Sequence, residues 1–224
     1  MLKTILLVII TCLISDCFSQ NTVTDNSGNI YKTVKIGNQI WMAENLRTEK
    51  FNNGDPIEQI TSDRYWQEIS LYAMDDSNFL DIKPVMCYYN NIKQKNNALY
   101  NWYVVIDSRD VCPIGWHIPS LDEFHDLINY IGNNEAGLSK IKSSTIWENP
   151  GSNSTGFNAL PIGARCGSGE FGDYRTESTL WTDTYTYSLG ELTGFSFKIS
   201  SNENKSELRG ITKNVGASIR CLKN

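Results

Sequence analysis

An apolar leader at the head of the chain sets the redox chemistry under which everything after it folds. Lys3 precedes the run Ile5-Leu-Leu-Val-Ile-Ile-Thr-Cys-Leu-Ile14, which is too short to span a bilayer, and small or polar residues follow it. Cys17 and Ser19 supply the small residues wanted just before a cleavage point. Residues 1–19 are therefore expected to be a signal peptide, with residues 20–224 as one domain. A lipid anchor at Cys17 is disfavoured because the charged Asp16 stands where a lipoprotein signal needs a small neutral residue. The expected address is outside the cytoplasm: periplasm, cell surface or medium. No later stretch is apolar enough to cross a membrane.

Export changes what the cysteines mean. Of six, Cys12 and Cys17 leave with the leader, so four remain: Cys87, Cys112, Cys166 and Cys221. An even number in an oxidising compartment predicts two disulfides, with three pairings open. There is no CxxC pair and only two histidines, so no metal site and no cofactor is expected. The leader removes Lys3 and Asp16 together, which leaves the net charge at −5 with no basic stripe, and this argues against nucleic acid as a partner.

Hydrophobic periodicity and turn chemistry predict an α+β fold of short antiparallel strands with two or three helices. Asn26-Ser-Gly-Asn29 and Gly37-Asn38 punctuate a meander through Tyr31–Ile36 and Gln39–Met42. A helix is expected from Thr61–Arg64 through Tyr65, Trp66 and Ile69 to Tyr72 or Ala73, and a buried strand over Val85–Tyr89. Asn96 or Asn97 is expected to cap a helix over Ala98–Ile106, although its aromatic and β-branched content also suits a strand. Ser120 and Glu123 form a capping box for Leu121–Ile131, with Gly132 behind it and Phe124, Leu127, Ile128 and Ile131 as the buried stripe. Later strands are expected at Phe157–Ala164, Leu180–Asp183, Gly194–Ile199, Glu207–Ile211 and Ala217–Leu222.

Six ordered phrases carry a resemblance: Thr33-Val-Lys-Ile-Gly-Asn-Gln-Ile-Trp-Met-Ala-Glu-Asn-Leu46, Cys87-Tyr-Tyr-Asn-Asn91, Ala98-Leu-Tyr-Asn-Trp-Tyr103, Cys112-Pro-Ile-Gly-Trp-His-Ile-Pro-Ser120, Gly156-Phe-Asn-Ala-Leu-Pro161 and Ser218-Ile-Arg-Cys221. In this order, from about Val23 to Leu222, the chain resembles the Fibrobacter succinogenes major paralogous domain family. The resemblance implies an exported bacterial protein and brings no activity with it. Asn101-Trp-Tyr and the block Gly115–Phe124 are also similar to the core of C-type-lectin-like and formylglycine-generating folds, which implies a compact, disulfide-bonded domain with a loop-built binding face. The chain departs from the family at Leu180-Trp-Thr-Asp-Thr184 and at Gly163-Ala-Arg-Cys166. The resemblance pairs Cys112 with Cys221, both inside family phrases, and leaves Cys87 with Cys166.

No serine sits in a nucleophile elbow, and His117 and His125 lack sequence partners for catalysis. Trp181-Thr-Asp183 is similar to half of a lectin calcium site, but the Glu-Pro-Asn half is missing, and hard cations need six or more oxygens. Tyr174, Trp181, Asp183, Tyr185 and Tyr187 stand among small polar residues in the segment that the resemblance assigns to loops, 166–191. They are the candidate contacts for an extracellular glycan or surface protein, although Trp181 also suits a core position. The expectation is a non-enzymatic binding module. The alternatives are an oxidative enzyme of the formylglycine-generating kind, which needs free thiols, and a purely structural surface component.

Overall fold

Turn residues shape the amino-terminal sheet. In a computed structural model that describes residues 22–72, 83–188 and 191–224, β1 (Thr22–Thr24), β2 (Ile30–Ile36) and β3 (Gln39–Met42) form the expected antiparallel meander. Gly28 and Gly37, at φ of 81° and 59°, make the two turns in the left-handed region that a side chain disfavours. The Asp25 carboxylate accepts the N–H groups of Ser27 and Asn29, which locks the first turn as an Asx motif. The sheet then recruits β7 (Trp116–His117) and β13 (Leu222–Lys223), in the order β1-β2-β3-β13-β7.

Among the described residues three smaller sheets complete a mixed α+β fold whose strands are mostly antiparallel. β10 (Glu177–Ser188), β11 (Glu191–Ser200) and β12 (Glu207–Ile211) form one in that order. β5 (Val85–Tyr88) lies between β4 (Glu58–Gln59), which is parallel to it, and β6 (Ala98–Tyr100), which is antiparallel. β8 (Ala164–Arg165) pairs with β9 (Phe171–Gly172).

Four α-helices are present among the described residues, against an expected two or three. α1 (Asp63–Tyr72) starts where Ser62 Oγ accepts the Tyr65 N–H. α3 (Leu121–Ile131) carries the complete Ser120–Glu123 capping box and buries Phe124, Leu127, Ile128 and Ile131. Its Phe124 ring stacks 4.6 Å from Phe197 and lies 5.2 Å from Trp41, so the helix clamps β11 to the meander. The extra helix is α4 (Glu135–Ile141), capped by Asn134 but interrupted by Gly137, which weakens the helical signal in its seven residues.

The helix expected over Ala98–Ile106 divides instead into β6 and α2 (Trp102–Val105). Asn101 separates them in an extended conformation, and its side chain is spent on the neighbouring chain. Its Oδ1 accepts the Val85 N–H and its Nδ2 donates to the Lys83 carbonyl, each at 3.0 Å. Asn97 likewise holds its own loop, donating to the Ile92 carbonyl. The strand expected over Phe157–Ala164 is a loop as far as Gly163, with Ala164 entering β8: Asn158 and Gly163 adopt φ of 57° and 72°, and before Ala164 only single bridges form, Ala159 with Lys142 and Gly163 with Ser178.

Cys112 and Cys221 are joined, closing a separation of 109 residues beside the β7–β13 pair. The second pairing fails, because Cys87 and Cys166 are both free. Side chains alternate along a strand. Arg165 points into the core, so Cys166 next to it faces solvent, while Cys87 is buried with the Arg165 guanidinium against its thiol. Alkylation of the native, unreduced protein is expected to modify Cys166 alone among these four, with Cys87 reacting only in denaturant. Replacing Cys112 and Cys221 by serine is expected to lower stability by about 3–5 kcal/mol, measured by urea titration.

Candidate functional site

The five aromatic and acidic residues singled out from the sequence do not share a surface. Trp181 is fully buried in β10, with its Nε1–H donating to the Tyr100 carbonyl at 2.7 Å, so it stands in the core. Asp183 is exposed beside the start of α3, where its N–H donates to the Pro119 carbonyl. Partial desolvation of that otherwise exposed carboxyl, with the nearby Glu123 charge, raises Asp183 above its usual range. Tyr185 and Tyr187 project from the far end of β10, Tyr185 lying edge-on 5.5 Å from Trp102. Tyr174 precedes the near end of that strand. The eight steps from Glu177 to Tyr185 extend over roughly 20–26 Å, even with the bulge that sets Trp181 opposite Ser196 but Tyr185 opposite Gly194.

Tyr174 instead belongs to a cleft whose other residues the sequence reading did not single out. It stacks on Tyr89 at 5.1 Å and 28°, and Phe171 meets Tyr89 edge-on at 5.2 Å. Tyr89 opens a loop to Asn97, in which Asn90, Asn91 and Asn96 take φ of 53°, 57° and 70°. Asparagine tolerates this region better than other side chains, so the run Asn90-Asn91 and Asn96-Asn97 was the signal available in the sequence. Across the cleft stand Thr145, Ile146 and Asn158, above Leu160 and Ile162, around a volume of about 360 Å³.

The wall opposite the asparagine loop is strained. Ile146, a β-branched residue, has φ of 74°, a conformation that persists only where the surroundings impose it. They do so here: Arg175 Nε donates to the Ile146 carbonyl and the Arg175 carbonyl accepts the Glu148 N–H. The cleft therefore offers an aromatic stack, an aliphatic floor and side-chain amides that both donate and accept hydrogen bonds.

A second hollow of about 330 Å³ lies on the other side of the asparagine loop and shares Gln94 and Lys95 with the first. Ion pairs organise it. Lys93 reaches Glu49, and Lys95 and Arg47 both reach Glu44, at 2.9 and 3.2 Å. Burial alone would raise the Glu44 carboxyl, but the hydrogen bonds from Lys95 and the Lys32 N–H and the Arg47 charge hold it below its usual range. Hydrogen bonds from Lys93 and from the Tyr88 hydroxyl lower Glu49 in the same way.

His117 pairs with Glu123 at 2.9 Å and with Asn224, at the start of α3. Among the described residues no group of three or more histidine, cysteine or acidic side chains is placed to hold a metal. Burial pushes the Cys87 thiol up to about 12, which keeps it protonated, and partial desolvation with the Asp173 and Glu170 charges raises the exposed Cys166.

The model of the Fibrobacter succinogenes major domain family matches residues 34–223. Neither a curated protein nor a solved structure matches the chain.

Two measurements test this arrangement. Trp181→Ala is expected to cost about 3–5 kcal/mol in a urea titration, whereas Tyr187→Ala should stay within about 0.5 kcal/mol. Because Glu44 and Glu49 have folded-state values below the unfolded carboxylate value of about 4.3, each contributes stability above that pH. That stability is lost as pH falls through the lowered value. Acid titration followed by tryptophan fluorescence should show this loss, and Glu44→Gln should flatten it.

Proposed function

The chain belongs to the Fibrobacter succinogenes major domain family, and we propose that it is an exported, non-enzymatic module that binds a glycan in the Tyr89–Tyr174 cleft. The stacked tyrosine pair at the cleft edge carries this reading. A sugar ring presents an apolar C–H face and a rim of hydroxyls. An aromatic surface accepts the first, and the amides of Asn90, Gln94 and Asn158 match the second. Tyrosine and asparagine lose little conformational freedom on binding, and the left-handed loop residues present them already oriented.

Other features fit the same reading. The Cys112–Cys221 bridge suits an oxidising compartment. The expected signal peptide, residues 1–19, lies outside the described residues. The C-type-lectin-like likeness of Asn101-Trp-Tyr103 and of Gly115–Phe124 belongs to this proposal too, since a mixed α+β scaffold with loops at one end is what such binding uses. The oxidative alternative needs reactive thiols. Cys87 and Cys166 are free, but one is buried and protonated and the other points to solvent away from it, so the pair supports that alternative poorly.

Titration calorimetry against a panel of neutral and acidic oligosaccharides tests the proposal. Tyr174→Ala is expected to weaken binding at least about tenfold, the loss of one aromatic stack, and Tyr187→Ala to leave it unchanged. Binding that is lost with Tyr187 but kept without Tyr174 would move the site to the β10 end. Failure of every glycan to bind, with a surface protein binding instead, would overturn the glycan assignment.

A further inference from the structure

We infer that the two hollows flanking the asparagine loop form one extended site for an acidic glycan, with Lys93 and Lys95 as the groups that take its carboxylates or sulfates. The inference rests on the glycan reading of the Tyr89–Tyr174 cleft and goes beyond it by naming the charge class of the ligand.

Continuity is the first observation. Gln94 and Lys95 line both hollows, and Lys93 lines the second, so a chain of sugars lying across the loop crest passes over all three residues. The combined volume, about 360 and about 330 Å³, exceeds what one ring needs and suits several.

Charge is the second. Arg47, Lys93 and Lys95 line the second hollow with Glu49 as the acidic side chain among its lining residues, on a chain whose net charge is −5, while Glu44 and Asp25 stand behind that lining. The excess on the lining itself is therefore opposite in sign to the molecule as a whole.

The pairing pattern is the third and the most specific. Lys93 and Lys95 are 67 % and 63 % exposed, and exposed ion pairs of this kind contribute little to stability. Their partners keep other hydrogen bonds without them. If Lys95 swings to a ligand, Glu44 keeps the Arg47 guanidinium and the Lys32 N–H. If Lys93 swings, Glu49 keeps the Tyr88 hydroxyl at 2.6 Å. Both ammonium groups can change partner without leaving a buried charge unsatisfied, which is the usual cost of breaking such a pair. Arg47 is different. It also donates to the Ile30 carbonyl and lies 4.4 Å over the Tyr31 ring, so it stays with Glu44 as the fixed element.

Three oligosaccharides of equal length provide the test: an oligogalacturonate, its methyl ester, and a sulfated neutral glycan. At low salt the acidic pair should bind about tenfold more tightly than the ester, two charge-assisted contacts being gained, and the advantage should shrink at high salt. Lys93→Gln with Lys95→Gln should remove the advantage, read as the ratio of acid to ester affinity. Glu49→Gln, which releases Lys93, should strengthen binding of the acidic ligands. Binding of the sulfated but not the uronate ligand would assign the site to sulfate esters. Equal affinity for acid and ester, or an advantage that survives the double substitution, overturns the inference while Tyr174-dependent binding leaves the glycan reading standing. Loss of the Tyr174 dependence overturns that reading itself.

Discussion

Residues 216–222 hold the fold together. All seven are buried, and each in turn is bonded to a different part of the chain. Gly216 exchanges hydrogen bonds with Arg165, and Ala217 with Tyr100. Ser218 bridges Thr179 and Trp181, the Ile219 carbonyl accepts the Leu46 N–H, and the Cys221 carbonyl accepts the Met42 N–H. Leu222 lies between Trp41 and His117. An extended segment threaded this way cannot make a ladder with one neighbour, which is why it reads as a strand and yet forms only single bridges until Leu222. The Cys112–Cys221 bond anchors its end, and by shortening the loop between them limits the unfolded ensemble.

Two buried arginines carry the same logic into the loops. Arg220 donates to the carbonyls of Phe157 and Asn158 and to the Asn45 side chain, and its guanidinium lies 4.3 Å over the Phe157 ring. Burial pushes its pKa down to about 9, which leaves it protonated at neutral pH. Arg165 donates to the Ile60 and Gly169 carbonyls and to Asp63, linking the start of α1 to the β8–β9 turn. A buried cation bonded to groups from several loops favours one arrangement of those loops, because another would strip it of these bonds.

The cleft depends on this scaffold. Asn158, one of its lining residues, sits at φ 57° with its carbonyl held by Arg220, and the strained Ile146 is held by Arg175. Left-handed and β-branched conformations cost free energy that a freely moving loop would relax away. The asparagine loop opposite is fixed by its own Asn97 bonds and by the pairing of β5 with β6. Side chains on such walls are held in one orientation, and in the proposed glycan site that would reduce the entropy lost on association.

Local chemistry was enough to read much of the fold. The Ser120–Glu123 box and the Phe124–Ile131 stripe specify α3, and Gly28 and Gly37 specify the hairpins, because each of these signals acts within a few residues. The sequence also carried an even cysteine count, a family resemblance and a tyrosine, Tyr174, that belongs to the cleft. Tertiary structure alone decided the rest. It divided 98–106 through the long-range bonds of Asn101, and it turned Arg165 inward so that Cys166 faced away from Cys87. It also buried Trp181, separated Tyr174 from Tyr185 and Tyr187 along an extended strand, and set Tyr174 against Tyr89. These outcomes rest on contacts between residues tens of positions apart, whose direction and partner follow from packing the whole chain at once, and no local pattern encodes them.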